Sequence, residues 1–180
     1  MELFWNLDDI VGPFEKACVT IGNFDGVHLG HQQLFAEVVR RARKNQGCSV
    51  VVTFDPHPLR VLRPDGILLI STIAQKIEQI DKAGIDNLVI IPFDRSFAST
   101  TAEQFVQRIL IGTIGMTELV VGYDYAFGKG RSGDTEFLKE QGRKFNFPVT
   151  VVEAFYQNDL LVSSTQIREL VAEGRMMDAR

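Results

Sequence analysis

Short apolar runs alternate with amphipathic helical patterns along nearly the whole chain. The three consecutive valines Val50 to Val52 are typical of a strand covered on both faces, because a strand buried on one face alone alternates apolar with polar residues. This alternation predicts parallel strands joined by right-handed helical crossovers, with helices on both faces of one sheet. We therefore expect a doubly wound, Rossmann-like α/β fold. The predicted strands are 18–21, 49–54, 88–91, 118–121 and 149–152.

Helical patterns with recognisable start or stop signals fill the intervals between these strands. Capping boxes, in which a Thr and a Gln or Glu three residues later bond each other's backbone N–H groups, are predicted at Thr72–Gln75 and Thr100–Glu103. Residues 58–69 lack a helical period and are predicted to form a loop with a turn at 64–66. In the helix after residue 133, Phe137, Leu138 and Phe145 are predicted to face inward.

Composition favours one globular domain over residues 1–180. The chain is 45% hydrophobic, and its net charge of -4 includes no block of like charges, so nothing suggests a nucleic-acid groove or a polybasic membrane patch. No apolar run reaches the roughly 20 residues that cross a bilayer, and the first residues do not resemble a signal peptide. We therefore expect a cytoplasmic protein in which Cys18 and Cys48 are reduced, without a disulfide.

The stretch 20–33 carries the strongest signal for chemistry. A strand-like run leads into three glycines interleaved with two histidines, and a helical pattern follows. Glycines before a helix let the backbone approach a ligand, and the first helical turn offers unpaired N–H groups and the positive end of a dipole. This arrangement is typical of a phosphate site, to which histidines add compact donors. The residues are Gly22, Gly26, Gly30, His28 and His31.

Two other interpretations of the histidines stay open. One histidine could be an ordinary capping or core residue, although the flanking glycines then have no packing purpose of their own. Alternatively, His28, His31 and His57 all follow predicted strands and could together bind zinc. Against zinc, no Asp or Glu lies between His28 and His31 to act as a general base, and a metal site does not need a glycine loop.

A second helix start, at Ser163, Ser164 and Thr165, is also a candidate phosphate site. Ser and Thr favour this position as plain helix caps, so capping alone explains them. Arg168, one turn further on, favours a functional role. A guanidinium near a helix N-terminus is ordinarily solvated or slightly unfavourable against the dipole, and a bound phosphate would offset that.

Two further segments follow predicted strands and leave alternatives open. Asp55–Pro58 is either a rigid strand exit or a ligand contact. Tyr123–Phe127 contains aromatic side chains that could stack on a planar ring system or belong to the core. Lys129 and Arg131, set among glycines, could close over phosphates or lie in a solvated loop. Because all these segments follow strands, they are expected to converge on one edge of the sheet.

Four segments together resemble the successive motifs of the bacterial FAD synthetase family, one of the nucleotidyl transferases that share a His-x-Gly-His sequence. They are Gly22–His31, Phe54–Pro58, Val121–Gly128 and Val162–Arg168, in the family's order and over essentially the whole chain. The resemblance implies the doubly wound fold of the HxGH nucleotidyl transferase type. It also implies the last step of FAD biosynthesis, ATP + FMN → FAD + pyrophosphate, with Mg²⁺ bridging phosphates and no protein side chain assigned as its ligand.

The residues and the resemblance together give the expected site. The candidate catalytic residues are His28, His31 and Arg168, which would hold ATP phosphates, and Asn23, which would orient within the glycine-rich loop. Further ATP contacts are expected at Gly22, Phe24, Asp25, Gly30, Ser163, Ser164 and Thr165. Flavin contacts are expected at Phe54, His57, Pro58, Asp124, Tyr125 and Phe127.

The sequence departs from the family pattern in two side chains and in its extent. Tyr125 and Asp55 stand where the family often has Phe and Glu. The family's bifunctional proteins continue into a riboflavin kinase module, which nothing in this chain resembles. Kinase activity is therefore not expected from the chain, and a kinase domain is expected in a full-length parent unless the chain is a stand-alone module.

Two other functions stay open beside FMN adenylyl transfer. One is an adenylyltransferase with a different acceptor, such as a nicotinamide or pantetheine phosphate, since those enzymes share the histidine motif. The other is a non-catalytic flavin- or nucleotide-binding module. FMN is preferred because of the three motifs outside the histidine segment.

Overall fold

Six parallel strands form one sheet in the computed structural model, which describes residues 1–63 and 65–179. Pro64, in the predicted turn at 64–66, and Arg180 lie outside the described residues. The sheet strands are β1 (Glu2–Phe4), β2 (Ala17–Ile21), β3 (Ser49–Asp55), β4 (Asn87–Pro92), β5 (Met116–Gly122) and β6 (Val149–Val152). A separate antiparallel hairpin pairs β7 (Tyr156–Gln157) with β8 (Leu160–Leu161).

The strand order across the sheet is β1-β4-β3-β2-β5-β6. From β2 the chain builds outward through β3 and β4 on one side, then returns to build β5 and β6 on the other. Thr20 on β2 accordingly lies between Val51 on β3 and Val120 on β5. The order reverses between β2 and β5, which confirms the predicted doubly wound fold and places its switch point there.

In the described part of the chain, helices connect or follow the strands. They are α1 (Leu29–Lys44), α2 (Pro58–Leu62), α3 (Ile73–Lys82), α4 (Ala102–Gln104, continued as a π-helix over Phe105–Thr113), α5 (Thr135–Phe145), α6 (Ser164–Ala172) and α7 (Met176–Ala179). In the π-helical part, the Ile114 N–H donates to the Ile109 carbonyl at 2.9 Å, one residue further back than in an α-helix.

The two faces of the sheet bury two separate hydrophobic cores, because successive side chains of a strand point to opposite faces. Helices α1 and α3 cover one face, where Phe35 and Ile80 pack with Val51 and Leu88. The π-helix and α5 cover the other, where Leu110 and Leu138 pack with alternate residues of the same strands. Because helices cover both faces of the sheet, the strands are apolar at nearly every position.

Several details differ from the sequence predictions. Residues 58–62 form helix α2 rather than loop, with Pro58 in the first turn, where its missing N–H does no harm, and His57 as the cap. The second capping box is Thr101–Gln104, one residue beyond the predicted Thr100–Glu103, and either pair of residue types could form it. The strand β1 and the helix α7 were not predicted, since three or four residues show no period.

Phe145 was predicted to face inward and does not. It is the last residue of α5 and is 38% exposed. The chain then turns through Asn146 in a left-handed conformation, and Phe147 enters the core in its place. Asn158 and Asp159 have positive φ and form the turn between β7 and β8.

Cys18 lies in the core, where burial and the nearby Glu118 carboxylate raise the pKa of its thiol to about 12. Cys48 is half-buried, and neither cysteine is in a disulfide. No helix of the described residues combines the length and apolar character that crossing a bilayer requires.

Candidate functional site

The segments that carry the motifs meet at the carboxyl edge of the sheet. The glycine loop, defined here as residues 22–28, follows β2, the segment from Pro56 follows β3, and the loop 123–134 follows β5. Strands β3, β2 and β5 are neighbours, so these three loops lie side by side across the switch point. The predicted convergence on one edge is therefore confirmed for these three segments, whereas the segment 163–168 follows β8 of the separate hairpin and not a strand of the sheet.

The glycines of the glycine loop do have packing reasons, contrary to the sequence argument. A Cβ added to Gly22 would lie 2.7 Å from the Phe24 ring. Gly26 has φ of +83°, a conformation that favours glycine, and its added Cβ would lie 2.8 Å from Ile70. Phe24 packs edge-on against His31, with ring centroids 5.2 Å apart. The glycines therefore shape the loop that holds the histidines.

His28 and His31 form one stacked pair at the start of α1. Their ring centroids are 3.6 Å apart and their planes differ by 19°. His28 is the N-cap of α1, and its Nδ1 accepts the His31 backbone N–H at 3.4 Å. An accepting Nδ1 carries no proton, so the neutral His28 ring has its proton on Nε2. His28 thus lies just before the helix and His31 in its first turn.

Burial keeps the histidines of the site neutral. Burial lowers the pKa of His28 to about 4, although the Asp124 and Asp25 carboxylates act to raise it. Burial lowers the pKa of His57 to about 4 as well, and the pKa of His31 falls well below its ordinary value for the same reason. At neutral pH these rings are therefore uncharged, and each neutral ring still has one N–H group that can donate a hydrogen bond.

The zinc alternative finds no support in the geometry. Within residues 1–63 and 65–179, no three His, Cys, Asp or Glu side chains are arranged to hold a metal ion. His28 and His57 each use Nδ1 as a helix cap, His57 accepting the Leu59 N–H at 3.1 Å. The three histidines thus share one edge of the sheet without forming a metal-binding cluster.

Asp25 joins three parts of the site. Its side chain, 2% exposed, accepts the backbone N–H groups of Ile70 and Ser71 at 3.1 Å, which ties the glycine loop to the segment before α3. It also accepts a hydrogen bond from the Arg168 guanidinium at 2.6 Å. The backbone N–H groups and Arg168 lower the pKa of the Asp25 carboxyl despite burial, which raises it. Asp25 therefore carries a buried negative charge.

The start of α6 is held against the glycine loop by its own side chains. The Ser164 hydroxyl donates to the Asp25 backbone carbonyl at 2.9 Å, and Arg168 Nε donates to the Leu68 carbonyl at 2.9 Å. Ser163 caps α6 by accepting the Gln166 N–H, and Thr165 is exposed. The two helix N-termini thus lie close together, while Ser164 and Arg168 already have protein partners.

Lys76 is a residue of the site that the sequence analysis missed. It lies on α3, is 5% exposed, and its ammonium donates to the Asn23 carbonyl at 2.6 Å. The signal was present, because Lys76 falls on the inner stripe of the helix between Ile73 and Ile80. A lysine on an apolar stripe is unusual and calls for a partner.

The aromatic residues assigned to flavin lie at the ends of β3 and β5, the two strands that flank β2, and all pack against the core under the π-helix and α5. Tyr125 stacks on Phe127 with centroids 5.4 Å apart, and Phe127 packs against Phe105 and Phe137 of the core. Phe54 packs against Phe93 and Phe97. The alternative that Phe127 is a core residue is therefore supported, while Tyr125 keeps a buried hydroxyl without a partner among the described residues.

The remaining predicted residues are more open. Asp124 is exposed and close enough to influence His28, so it lies toward the histidine pair. Pro58 is half-buried at the start of α2. Lys129 and Arg131 are exposed on a short 3₁₀ turn, as the solvated-loop alternative predicts.

The family model and the curated relatives point to one family. The family model for FAD synthetase matches residues 13–166. The bifunctional riboflavin kinase/FMN adenylyltransferase of Buchnera aphidicola from Acyrthosiphon pisum is 34% identical over 98% of this chain, and the chain spans 56% of its length. A FAD synthetase of Listeria monocytogenes is 32% identical over 91% of the chain, which spans 66% of its length. A solved Streptococcus pneumoniae structure, described as a macrolide-efflux protein, superposes with a TM-score of 0.86 at 32% identity, covering 99% of this chain and 59% of that one.

Proposed function

The chain belongs to the FAD synthetase family, and on that premise we propose that it catalyses FMN adenylyl transfer, ATP + FMN → FAD + pyrophosphate. One observation carries the proposal. A stacked pair of neutral histidines sits at the N-terminus of α1, at the switch point of the sheet, where such folds bind their ligands. Helix N-termini favour phosphate, and the start of α6 adds a second one nearby.

In the proposed reaction, an FMN phosphate oxygen attacks the α-phosphorus of ATP in line. A new P–O bond forms as the bond to the β-phosphate oxygen breaks, and pyrophosphate leaves with its electron pair. The FMN phosphate is already ionised, so no side chain needs to remove a proton from it. Alignment and stabilisation of charge on the phosphates then supply the catalysis.

We assign His28 and His31 to the ATP phosphates. His28 Nδ1 is occupied by the His31 backbone N–H, which leaves Nε2–H as the donor for a phosphate oxygen. Neutral donors suit this task across the physiological pH range, because the low pKa of His28, about 4, keeps its protonation state constant. Asn23, Gly22, Phe24 and Gly30 complete this side of the proposed triphosphate cradle.

The start of α6 is assigned to the same phosphates through Ser163, Ser164 and Thr165. Arg168, which donates a hydrogen bond to Asp25, adds positive charge near the phosphates. This contact supports a role for Arg168 in fixing the two helix starts relative to each other. Asp25 acts in the proposal by positioning the glycine loop. Mg²⁺ enters as part of the MgATP substrate, since it keeps several waters and needs few protein ligands.

The flavin is assigned to the ends of β3 and β5, the two strands that flank β2. Its proposed neighbours are Phe54, His57, Pro58, Asp124, Tyr125 and Phe127. The Tyr125 hydroxyl, buried without a partner among the described residues, and the exposed Asp124 favour a polar ligand group there. We further propose a cytoplasmic setting and a riboflavin kinase domain in the full-length parent, in keeping with the name of the Buchnera relative.

The test is a product assay on the purified chain. It is incubated with Mg²⁺, ATP and one acceptor at a time: FMN, nicotinamide mononucleotide or pantetheine phosphate. Chromatography detects the dinucleotide and a coupled assay detects pyrophosphate. With FMN as the acceptor, we expect FAD and pyrophosphate in equal amounts. With either of the other two acceptors, we expect no product. Product only with another acceptor would support an adenylyltransferase with that acceptor. Flavin binding without any product would support a non-catalytic binding module.

A further inference from the structure

Lys76 places a buried positive charge behind the glycine loop. Its ammonium donates to the Asn23 carbonyl at 2.6 Å and lies 3.5 Å from the Thr53 hydroxyl. The Thr53 hydroxyl donates to the same carbonyl at 3.3 Å. Two elements beneath the loop, α3 and β3, therefore converge on one carbonyl group of the loop.

A buried ammonium normally pairs with a carboxylate, because removing a charge from water costs several kcal/mol. Among the ion pairs of the described residues, none includes Lys76, and the nearby Asp25 carboxylate is paired with Arg168. Asp25 and Asp55 act on Lys76 only through longer-range attraction. The fold therefore keeps a charge that a methionine of similar volume could replace more cheaply, which argues for a use beyond packing.

The bond to Asn23 also fixes the direction of a backbone N–H group. In a trans peptide the C=O and N–H groups point to opposite sides, so turning the Asn23 carbonyl toward Lys76 turns the Phe24 N–H away from it. Phe24 has φ of 47°, which is uncommon for a non-glycine residue and needs support from its surroundings. Consecutive N–H groups in such turns form concavities that bind anions.

We propose that Lys76 is a positioning residue for ATP, which holds the glycine loop in its phosphate-binding shape and supplies positive potential from beneath it. The inference rests on the proposed function and deepens it. Lys76 acts through Asn23 and does not touch the substrate. Its charge also reaches His31 and His57, where it helps keep both rings neutral.

The first test compares ATP binding in Lys76→Met, Lys76→Gln and the wild type by calorimetric titration with MgATP in the absence of FMN. Lys82→Met is the matched control, because Lys82 lies on the same helix, is exposed and bonds only Glu78 in the described residues. Lys76→Met is expected to weaken ATP binding on the order of tenfold, with Lys82→Met unchanged. Lys76→Gln, which keeps a donor for Asn23 without the charge, is expected to fall between them.

A second readout separates positioning from a structural role. Lys76→Met is expected to unfold at or above the wild-type temperature, since replacing a buried charge by an apolar residue is often neutral or stabilising. Loss of the charge is also expected to raise the pKa of His57. NMR titration of the His57 ring proton signals measures this pKa. Asp25, Arg168 and Arg60 also act on His57 and are unchanged in the variant.

Unchanged ATP affinity in folded Lys76→Met would overturn the inference, as would failure of both Lys76 variants to fold, which would make the residue structural. The proposed function fails separately. A wild-type chain that binds ATP but forms no FAD contradicts FMN adenylyl transfer, while the binding comparison still decides the role of Lys76. A wild-type chain that does not bind ATP contradicts both.

Discussion

The Arg168 guanidinium donates to the Asp25 carboxylate at 2.6 Å, across 143 residues of chain. Asp25 belongs to the glycine loop and Arg168 to α6, so the pair connects the two helix starts assigned to phosphate. Both groups also bond backbone near α3, Asp25 to Ile70 and Ser71 and Arg168 to Leu68. One buried ion pair thus sets the relative position of three segments that are distant in sequence.

Arg168→Leu is expected to lower the free energy of unfolding by about 3 kcal/mol, because it leaves the Asp25 carboxylate buried without its cation. Urea denaturation measures the change. Arg175→Leu is the control, since Arg175 is exposed and pairs with exposed acids, and little change is expected there. Equal losses in the two variants would contradict a buried pair that organises the site.

His28→Ala is expected to reduce FAD formation by roughly 10²- to 10³-fold, the usual effect of removing a donor to developing charge, while FMN affinity changes little. His28 also caps α1, so the alanine variant should lose about 1 kcal/mol of stability. His28→Asn keeps a capping oxygen and serves as the control for that loss. It should fold like the wild type and still be slow, and full activity in His28→Asn would count against the phosphate role.

Stability is expected to fall as the pH drops from about 6.5 to 4. The pKa of His57 is about 4 in the folded protein and 6.5 as a model value, so in this window the unfolded chain takes up a proton that the folded chain does not. The contribution is fully present above pH 6.5 and lost as the pH approaches 4, on the order of 3 kcal/mol for this difference. His28 adds to the same slope.

The variant that isolates this effect is His57→Asn, which removes the titration and keeps a good helix cap for α2. Urea denaturation of both proteins at several pH values between 7 and 4 should give a shallower slope for the variant. Parallel curves for variant and wild type would show that His57 is not buried in its neutral form.

Gly22→Ala is expected to destabilise the fold by roughly 1–3 kcal/mol, because its Cβ would overlap the Phe24 ring and displace the side chain that packs on His31. Gly122→Ala is the matched control at the end of the neighbouring strand, where the nearest atom would lie 3.6 Å away in ordinary contact. Thermal unfolding compares the two. A loss as large at Gly122 as at Gly22 would contradict the steric explanation.

Local signals predicted the regular elements well. The strands and the main helices follow from apolar period and caps, because each depends on residues only a few positions apart. The local signals gave the wrong residue where two neighbouring residues could serve equally well as the helix cap, as for Thr100 and Thr101. The prediction that Phe145 faces inward was wrong because the left-handed turn at Asn146 ends the helix and brings Phe147 into the core instead.

The sequence by itself determined that this chain winds a parallel sheet with helices on both faces, and that glycines and histidines follow its central strand. Alternation and motif spacing are properties of neighbouring residues, so they can be read directly from the chain. Only the tertiary structure decided that Arg168 pairs with Asp25 and that Lys76 lies beneath Asn23. Those contacts join residues 143 and 53 positions apart, and burial, which no local pattern fixes, determines both their partners and the neutral state of the histidines.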